Sequence, residues 1–404
     1  MQSNSILISD AGALPFWRRP FTLLALMAFC MPMAFSTWMA LLNNFVVHEA
    51  GFDGRDIGWL QSIREVPGFF AVGVILVILF IREQLLAVIS MMLLGAVIAV
   101  TAWFPTFYGL LITTFLSSLG FHYYETVKMS LELQWLNKEE APQKLGWLIS
   151  IGSAASLITY LFIMFTWKTL GWDYNTLYMV GGGITFVVAV YCWAAFPRFE
   201  GDVIQHKTMV LRKRYWLYYA LQFMAGARRQ IFIVFAAFMM VERFGFEVHE
   251  VTGLFLATYF VNIFIAPIIG KMVSKFGERN ALVFEYIGLT SVFLAYAGIY
   301  MFGWGVVVAA ALYLLDHFFF ALALAQKTYF QKIADPKDIA PTAAVAFTIN
   351  HIGAVVLPAL LGYVWLVSPT VVFSIAAGMA MVSLILSLLI PRNPTMGHET
   401  ILTK

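Results

Sequence analysis

Apolar residues run along this chain in blocks of about twenty, the length an α-helix needs to cross the hydrocarbon core of a bilayer. The blocks fall near 21–45, 57–81, 85–104, 108–136, 145–167 and 176–196. After a polar break they resume near 215–241, 251–273, 281–302, 306–331, 342–366 and 370–390. Twelve is an even number, so both termini are expected on one side of the membrane. The pattern predicts an all-α polytopic membrane protein in three parts. These are an N-terminal six-helix bundle over 1–196, a linker over 197–214, and a C-terminal six-helix bundle with a short tail over 215–404. The first block is too long for a signal-peptide core and reads as a retained span.

Composition sharpens this. The 404 residues are 61% hydrophobic and 12% charged, against about 25% charged in soluble domains, which excludes a water-soluble enzyme. A net charge of +3 is too small to imply nucleic acid. Seventeen Lys and Arg residues, Arg18, Arg82 and Arg279 among them, fall on one side of the predicted spans. Only Arg55, Lys168 and Arg243 fall on the other, and five more lie within spans. By the positive-inside rule the termini and linker face the cytoplasm, as expected of a bacterial inner-membrane protein. Cys30 and Cys192 fall in apolar blocks and read as small core residues. No span carries a His-x-x-x-His or Asp-x-x-Asp pair, and there is no nucleotide-binding loop, so neither metal nor cofactor is expected. A monomer embedded in lipid is.

The two halves resemble each other where the fourth span of each meets its cytoplasmic loop. Phe121-His122-Tyr123-Tyr124 recurs as Asp316-His317-Phe318-Phe319, Lys128 as Lys327, and Glu140-Ala141-Pro142 as Ile339-Ala340-Pro341. The offset is 195 for the histidines and 199 for the lysines, so about one helical turn is inserted in the second copy. Paired halves suggest a transporter with its site at their interface.

Between spans 8 and 9 the chain reads Gly270-Lys271-Met272-Val273-Ser274-Lys275-Phe276-Gly277-Glu278-Arg279. This resembles the loop signature of the major facilitator superfamily, and the twelve-span plan with its central linker extends the likeness over the whole chain. Ser274 stands where that signature usually has an acid, and the corresponding first-half loop, Phe80-Ile81-Arg82-Glu83-Gln84, does not show it. Span 5 has Gly152 without a following proline, so the mark of drug/proton antiporters is missing. The resemblance implies alternating access, two pseudo-symmetric six-helix bundles, and a peripheral ninth helix.

Ten charged residues sit within the spans: Arg64, Glu65, Glu125, Lys128, Glu132, Arg228, Arg229, Glu285, Asp316 and Lys327. At about 2.5–3.5 kcal/mol each near the bilayer centre, ten unpaired charges would cost roughly 25–35 kcal/mol. They must pair or line a polar path. His122, Glu125, Lys128 and Glu132 stack on one face of span 4, so Lys128 is expected to reach both glutamates and leave one carboxylate to titrate. Asp316 beside His317 is a second proton-site candidate, with Lys327 on the same face but roughly 16 Å away. On span 7, Tyr218, Gln222 and Arg229 form a stripe, with Arg228 alongside and no acid in that helix. Two uncompensated arginines either pair with acids of other spans, such as Asp316, Glu125 or Glu65, or bind an anion, for which the guanidinium fork is suited. Arg64 and Glu65 point about 100° apart on their helix and are expected to serve as a gating or interhelix pair. They are not expected to neutralise one another. On the peripheral ninth helix that the resemblance implies, Glu285 would pair with Arg279 or Lys275. Tyr259 and Asn262 on span 8, with Asn350 and His351 on span 11, complete the candidate substrate contacts, beside Ser150, Ser153, Ser156 and Tyr160 on span 5.

The function expected is secondary-active transport of a small polar, anionic organic solute with protons. The alternative is proton-driven efflux of amphipathic or cationic compounds. An intramembrane enzyme or a transport-dead sensor finds no motif or added domain in its favour.

Overall fold

A computed structural model describes residues 5–70, 74, 77, 80–136, 141–200, 211–335 and 338–402. Expectations on Lys138, Glu140, Lys207 and Lys337 lie outside these residues, as do those on the side chains of Asn262, Lys271 and Ser274.

The chain is mostly helical. The first half holds α1 (Pro20–His48), α2 (Gly54–Phe69), α3 (Glu83–Val100), α4 (Phe107–Trp135), α5 (Ala141–Phe165) and α6 (Tyr174–Ala195). The second holds α7 (Trp216–Ile231), α8 (Ala237–Glu242), α9 (Val248–Phe276), α10 (Glu278–Phe302) and α11 (Val306–Ala321), then α12 (Leu324–Ile333), α13 (Ile339–Val367) and α14 (Pro369–Leu388). Span 7 is α7 joined to α8 through a π-helical turn, Phe232–Ala236. Span 10 is α11 followed by α12. Every predicted span therefore has its helix, with ends within a few residues except in span 2, where α2 ends at Phe69 and the end expected near 81 is not tested among the described residues. Among the described residues nine helical stretches are long and apolar enough to cross a membrane. The other three expected spans correspond to α2, α4 and α9, of which α4 carries Glu125, Lys128 and Glu132.

The chain forms two compact units. The first comprises 1–51, 66–206 and 248–252; the second comprises 52–65, 207–247 and 253–404.

In the first unit α3 packs on α4 and α6, and α1 on α5 and α6. Small residues set these contacts. A Cβ on Gly95 would strike the α6 backbone at Gly182 and Phe186, and one on Gly181 would strike Thr37 of α1. Thr185 donates to the backbone oxygen of Cys30 at 2.7 Å. A short parallel pair, β1 (Ser5–Leu7) with β2 (Arg198–Glu200), ties the N-terminal segment to the end of span 6. Gln84 clamps β2 with both ends of its amide, donating to Pro197 O and accepting from Phe199 N.

In the second unit α7 lies against α13 and α14, and α10 against α11 and α14. Gly226 sits on the Asn350 backbone and Gly353 on Ala227, so α7 and α13 approach backbone to backbone. The residues 54–65 of α2 lie along α13 in the same way. Gly58 faces the carbonyl of Pro358, and Gly362 faces Gly54 and Arg55. A proline inside a helix disrupts the local hydrogen-bond ladder. The N–H of Ala359, next to Pro358, is taken by Ser62 Oγ at 2.9 Å.

Candidate functional site

Adjacent residues on a helix diverge by about 100°, and that angle gives Arg228 and Arg229 different surroundings. Arg228, 1% exposed, turns toward α10. Its Nη2 donates to Glu285 Oε1 at 3.1 Å, and its guanidinium lies 5.0 Å from the centre of the Tyr286 ring. Glu285 is fully buried. Its partner is thus Arg228, and the expected pairing with Arg279 or Lys275 is replaced. Glu285 stands about two turns into α10, and its side chain points toward α7 rather than back along its own helix. Arg228 is correspondingly not an uncompensated cation; its charge is met inside the unit by Glu285.

Arg229 points elsewhere. Among the described residues no carboxylate lies within ion-pair distance of its guanidinium, and its Nε has no hydrogen-bond partner. Glu65 and Arg64 of α2 act on it only through longer-range electrostatics. Those two do bond to one another: Arg64 Nη2 and Nε reach Glu65 Oε1 at 2.6 and 2.9 Å. This corrects the expectation that they would not neutralise each other. The arginine side chain is long enough to fold back across the angle that separates their Cβ atoms. His351 Nε2 faces Glu65 Oε2 at 3.5 Å, and its Nδ1 donates to Phe347 O at 2.8 Å. Gln230 Oε1 accepts from Arg64 at 3.4 Å, while Gln230 Nε2 is buried without a partner. The unspent groups on α7 at this level, Arg229 Nε and Gln230 Nε2, are both donors. Gln230 escaped the sequence reading because a lone glutamine after an arginine pair carries no pattern of its own.

The remaining expected contacts divide. Gln222 donates to Gln326 Oε1 at 3.0 Å, and Gln326 donates to the Tyr286 hydroxyl at 2.7 Å, which links the α7 stripe to the ring beneath Arg228. Asn350 Nδ2 donates to Gln222 O at 3.1 Å, so this amide fastens α13 to α7. Tyr218 lies flat on Phe330, centroids 4.3 Å apart. Tyr259 is 39% exposed.

Asp316 is 3% exposed and its Oδ1 has no partner; it interacts electrostatically with Arg228 and Glu285. His317 beside it turns away, its Nδ1 donating to Tyr313 O at 3.0 Å with its ring on Phe232 and Tyr313. The two do not form one proton site. Lys327 is exposed, so it is not one of the buried charges. In the first unit Lys128 pairs with Glu125 at 3.2 Å but not with Glu132, so only one rung of the expected ladder forms. His122 is buried against Ser118, and Ser156 bonds Ser36 at 3.1 Å. Ser150 and Ser153 on the same helix are exposed.

A family model described as Major Facilitator Superfamily matches residues 24–358. No curated protein matches the sequence. Among solved structures, a mutant of the nucleoside transporter NupG superposes with a TM-score of 0.74 at 14% identity, covering 91% of this chain and 99% of that one. A bacterial homologue of the human lysosomal transporter Spinster, inward-facing and occupied, gives 0.71 at 11% identity, covering 94% of this chain and 97% of its own. At these identities the likeness is one of fold.

Proposed function

The chain belongs to the Major Facilitator Superfamily, and from that premise we propose that it is a secondary-active transporter of a small organic anion, driven by protons through alternating access. It is an integral membrane protein with the fold of a small-molecule transporter, which leaves the substrate's charge and the coupling ion to be argued. The observation that carries the anionic reading is Arg229. A guanidinium in mid-span, with no carboxylate in ion-pair range among the described residues, is costly unless something negative visits it. The unpartnered donors Arg229 Nε and Gln230 Nε2 suit a ligand rich in acceptors, such as a carboxylate or phosphate. Coupling to protons is supported by Glu132 and Asp316, carboxyls with no cation within ion-pair distance among the described residues. On this reading the halves 1–196 and 215–404 rock about the linker 197–214, with both termini in the cytoplasm of a bacterial cell.

The test begins with a thermal-shift screen of the detergent-purified protein against carboxylates, phosphates, amino acids, sugars and cations, since a ligand that binds the folded state raises its melting temperature. A stabilising anion is expected. Arg229→Lys keeps the charge but loses the fork, so it should weaken binding of that anion markedly at unchanged stability, and Arg229→Ala should abolish it. Normal affinity in both variants would remove Arg229 from the site. A stabilising cation with no anion hit would overturn the reading.

A further inference from the structure

Just before the first unit's opening helix, the amino-terminal segment forms a collar that displays aromatic rings and cations side by side. β1 pairs with β2 at the head of the linker, two short 3₁₀ turns follow (Ile8–Ala13 and Phe16–Arg18), and α1 begins at Pro20. Polar bonds fix this path. Arg19 Nε donates to Leu14 O at 3.0 Å and its Nη2 to Gly12 O at 3.1 Å, while Thr22 Oγ1 donates to Phe16 O at 2.6 Å. Arg18 Nε donates to Ala195 O at 3.0 Å, which fastens the collar to the end of α6. Phe16 and Trp17 nevertheless stand outward, 70% and 53% exposed. Large exposed rings on a segment held by its own backbone mark a surface that meets something else. They lie within four residues of the start of a membrane-spanning helix, the depth of the lipid headgroups, where aromatic side chains are favoured.

The charge at this corner points the same way. Arg18 and Arg19 bond to carbonyl oxygens, which use N–H groups but do not neutralise the cations. Among the described residues no carboxylate lies within ion-pair distance of either. Lys144 of α5 joins them, its Nζ 5.8 Å from the centre of the Phe21 ring, two residues beyond Arg19. One turn along α5 from Lys144, on the same face, Trp147 is 59% exposed. Of the acids close by, Glu200 is taken by Arg82 at 2.8 Å, and Asp10 is the only one in the collar itself. We propose that Arg18, Arg19 and Lys144, flanked by Phe16, Trp17 and Trp147, bind the phosphate headgroup of an anionic phospholipid.

Each guanidinium keeps N–H groups beyond those spent on carbonyls, since arginine carries five, and phosphate oxygens accept such groups in charge-assisted bonds. Basic pockets at the ends of membrane helices hold headgroups in this manner. A zwitterionic lipid carries its own amine beside the phosphate, whereas an anionic one leaves its charge for the three cations. An acidic soluble partner would need the cations but not the rings at headgroup depth. Because β1 and β2 are paired, the same site fastens the head of the linker to the membrane surface. It takes lipid, not the transported solute, and stands apart from the reading of Arg229.

The experiment uses the purified full chain with no substrate present. In native mass spectrometry from detergent with equal amounts of phosphatidylglycerol and phosphatidylcholine added, the wild type should retain phosphatidylglycerol in preference. Arg19→Gln and Lys144→Gln should each lower that preference about fivefold, the contribution of one cation near a membrane surface. Arg19→Gln also releases the collar's carbonyls, so Lys144→Gln, which lies outside the collar, keeps the test decisive. Equal retention of the two lipids by the wild type, an unchanged preference in Lys144→Gln, or displacement of the lipid by inorganic phosphate would overturn the site. A spin label on Trp17→Cys, with Cys30 and Cys192 buried out of reach, gives the second measurement. In phosphatidylglycerol vesicles it should be relaxed by oxygen and shielded from an aqueous nickel reagent. A label fully open to nickel would place the rings in water and overturn the lipid assignment in favour of a soluble acidic partner.

Discussion

Removing Arg228 should expose how much of the second unit's stability hangs on one ion pair. In Arg228→Met the stem is kept and the charged head lost, leaving Glu285 fully buried without its hydrogen-bonded partner. Breaking one side of a buried pair costs about 3–5 kcal/mol. The guanidinium also lies 5.0 Å from the Tyr286 ring centre, a contact worth about 0.5–2 kcal/mol where water is excluded. Against a total folding stability of about 5–15 kcal/mol, the summed loss is roughly a quarter or more. Glu285→Gln should cost less than Arg228→Met, because the amide oxygen still accepts from Nη2 and Asp316 can then ionise beside the arginine. Arg228→Met combined with Glu285→Leu replaces the pair by apolar groups and should be more stable than Arg228→Met alone, since such replacements are often neutral or better. The assay is reversible unfolding in mixed micelles followed by tryptophan fluorescence. Were Arg228→Met within about 1 kcal/mol of wild type, or were the two substitutions strictly additive, the pair would not be a buried, mutually dependent unit.

Three further outcomes follow from the same geometry. Gly226→Ala should lower the melting temperature sharply and weaken anion binding, because a methyl group there meets the Asn350 backbone and would push α7 from α13 just before Arg229. Wild-type stability would mean that the close approach is not needed. At the start of α13, Asp338 accepts from Arg212 Nε and Nη2 at 2.9 and 3.0 Å and from the Tyr215 hydroxyl at 3.0 Å; Arg212 foremost holds this carboxyl below the usual range. A depressed pKa adds stability that is complete above the ordinary value near 3.9 and disappears only as pH falls through the folded one. Hydrogen-exchange protection at residues 211–215, taken relative to the intrinsic rate at each pH, should therefore be flat from neutral pH to mildly acid pH and lower at all of these in Asp338→Asn; equal protection in the variant would contradict the clasp. Cysteines at Asp53 and Glu247 should react with an impermeant reagent from outside whole cells, whereas one at Lys207 should not, and labelling at Lys207 would reverse the orientation.

Hydropathy alone placed all twelve spans, because in lipid a chain satisfies its backbone polar groups by helix formation along each apolar run. The ten-residue motif around Gly277 and the twelve-span plan were likewise enough to bring the superfamily into view. Local spacing also determined the Lys128–Glu125 contact, since residues three apart on a helix are neighbours wherever that helix lies. Partners across helices were a different matter. The acid that meets Arg228 is fifty-seven positions away, and nothing in the one-dimensional pattern distinguishes Glu285 from Asp316 or Glu65 as its mate. Only the rotation of α7 about its axis, set by Gly226 against Asn350 and Gly353 against Ala227, decides that Arg228 turns inward to α10 while Arg229 has no carboxylate within ion-pair distance among the described residues. The sequence by itself determined which charges had to be resolved in the membrane; helix rotation and close backbone packing decided which of them were.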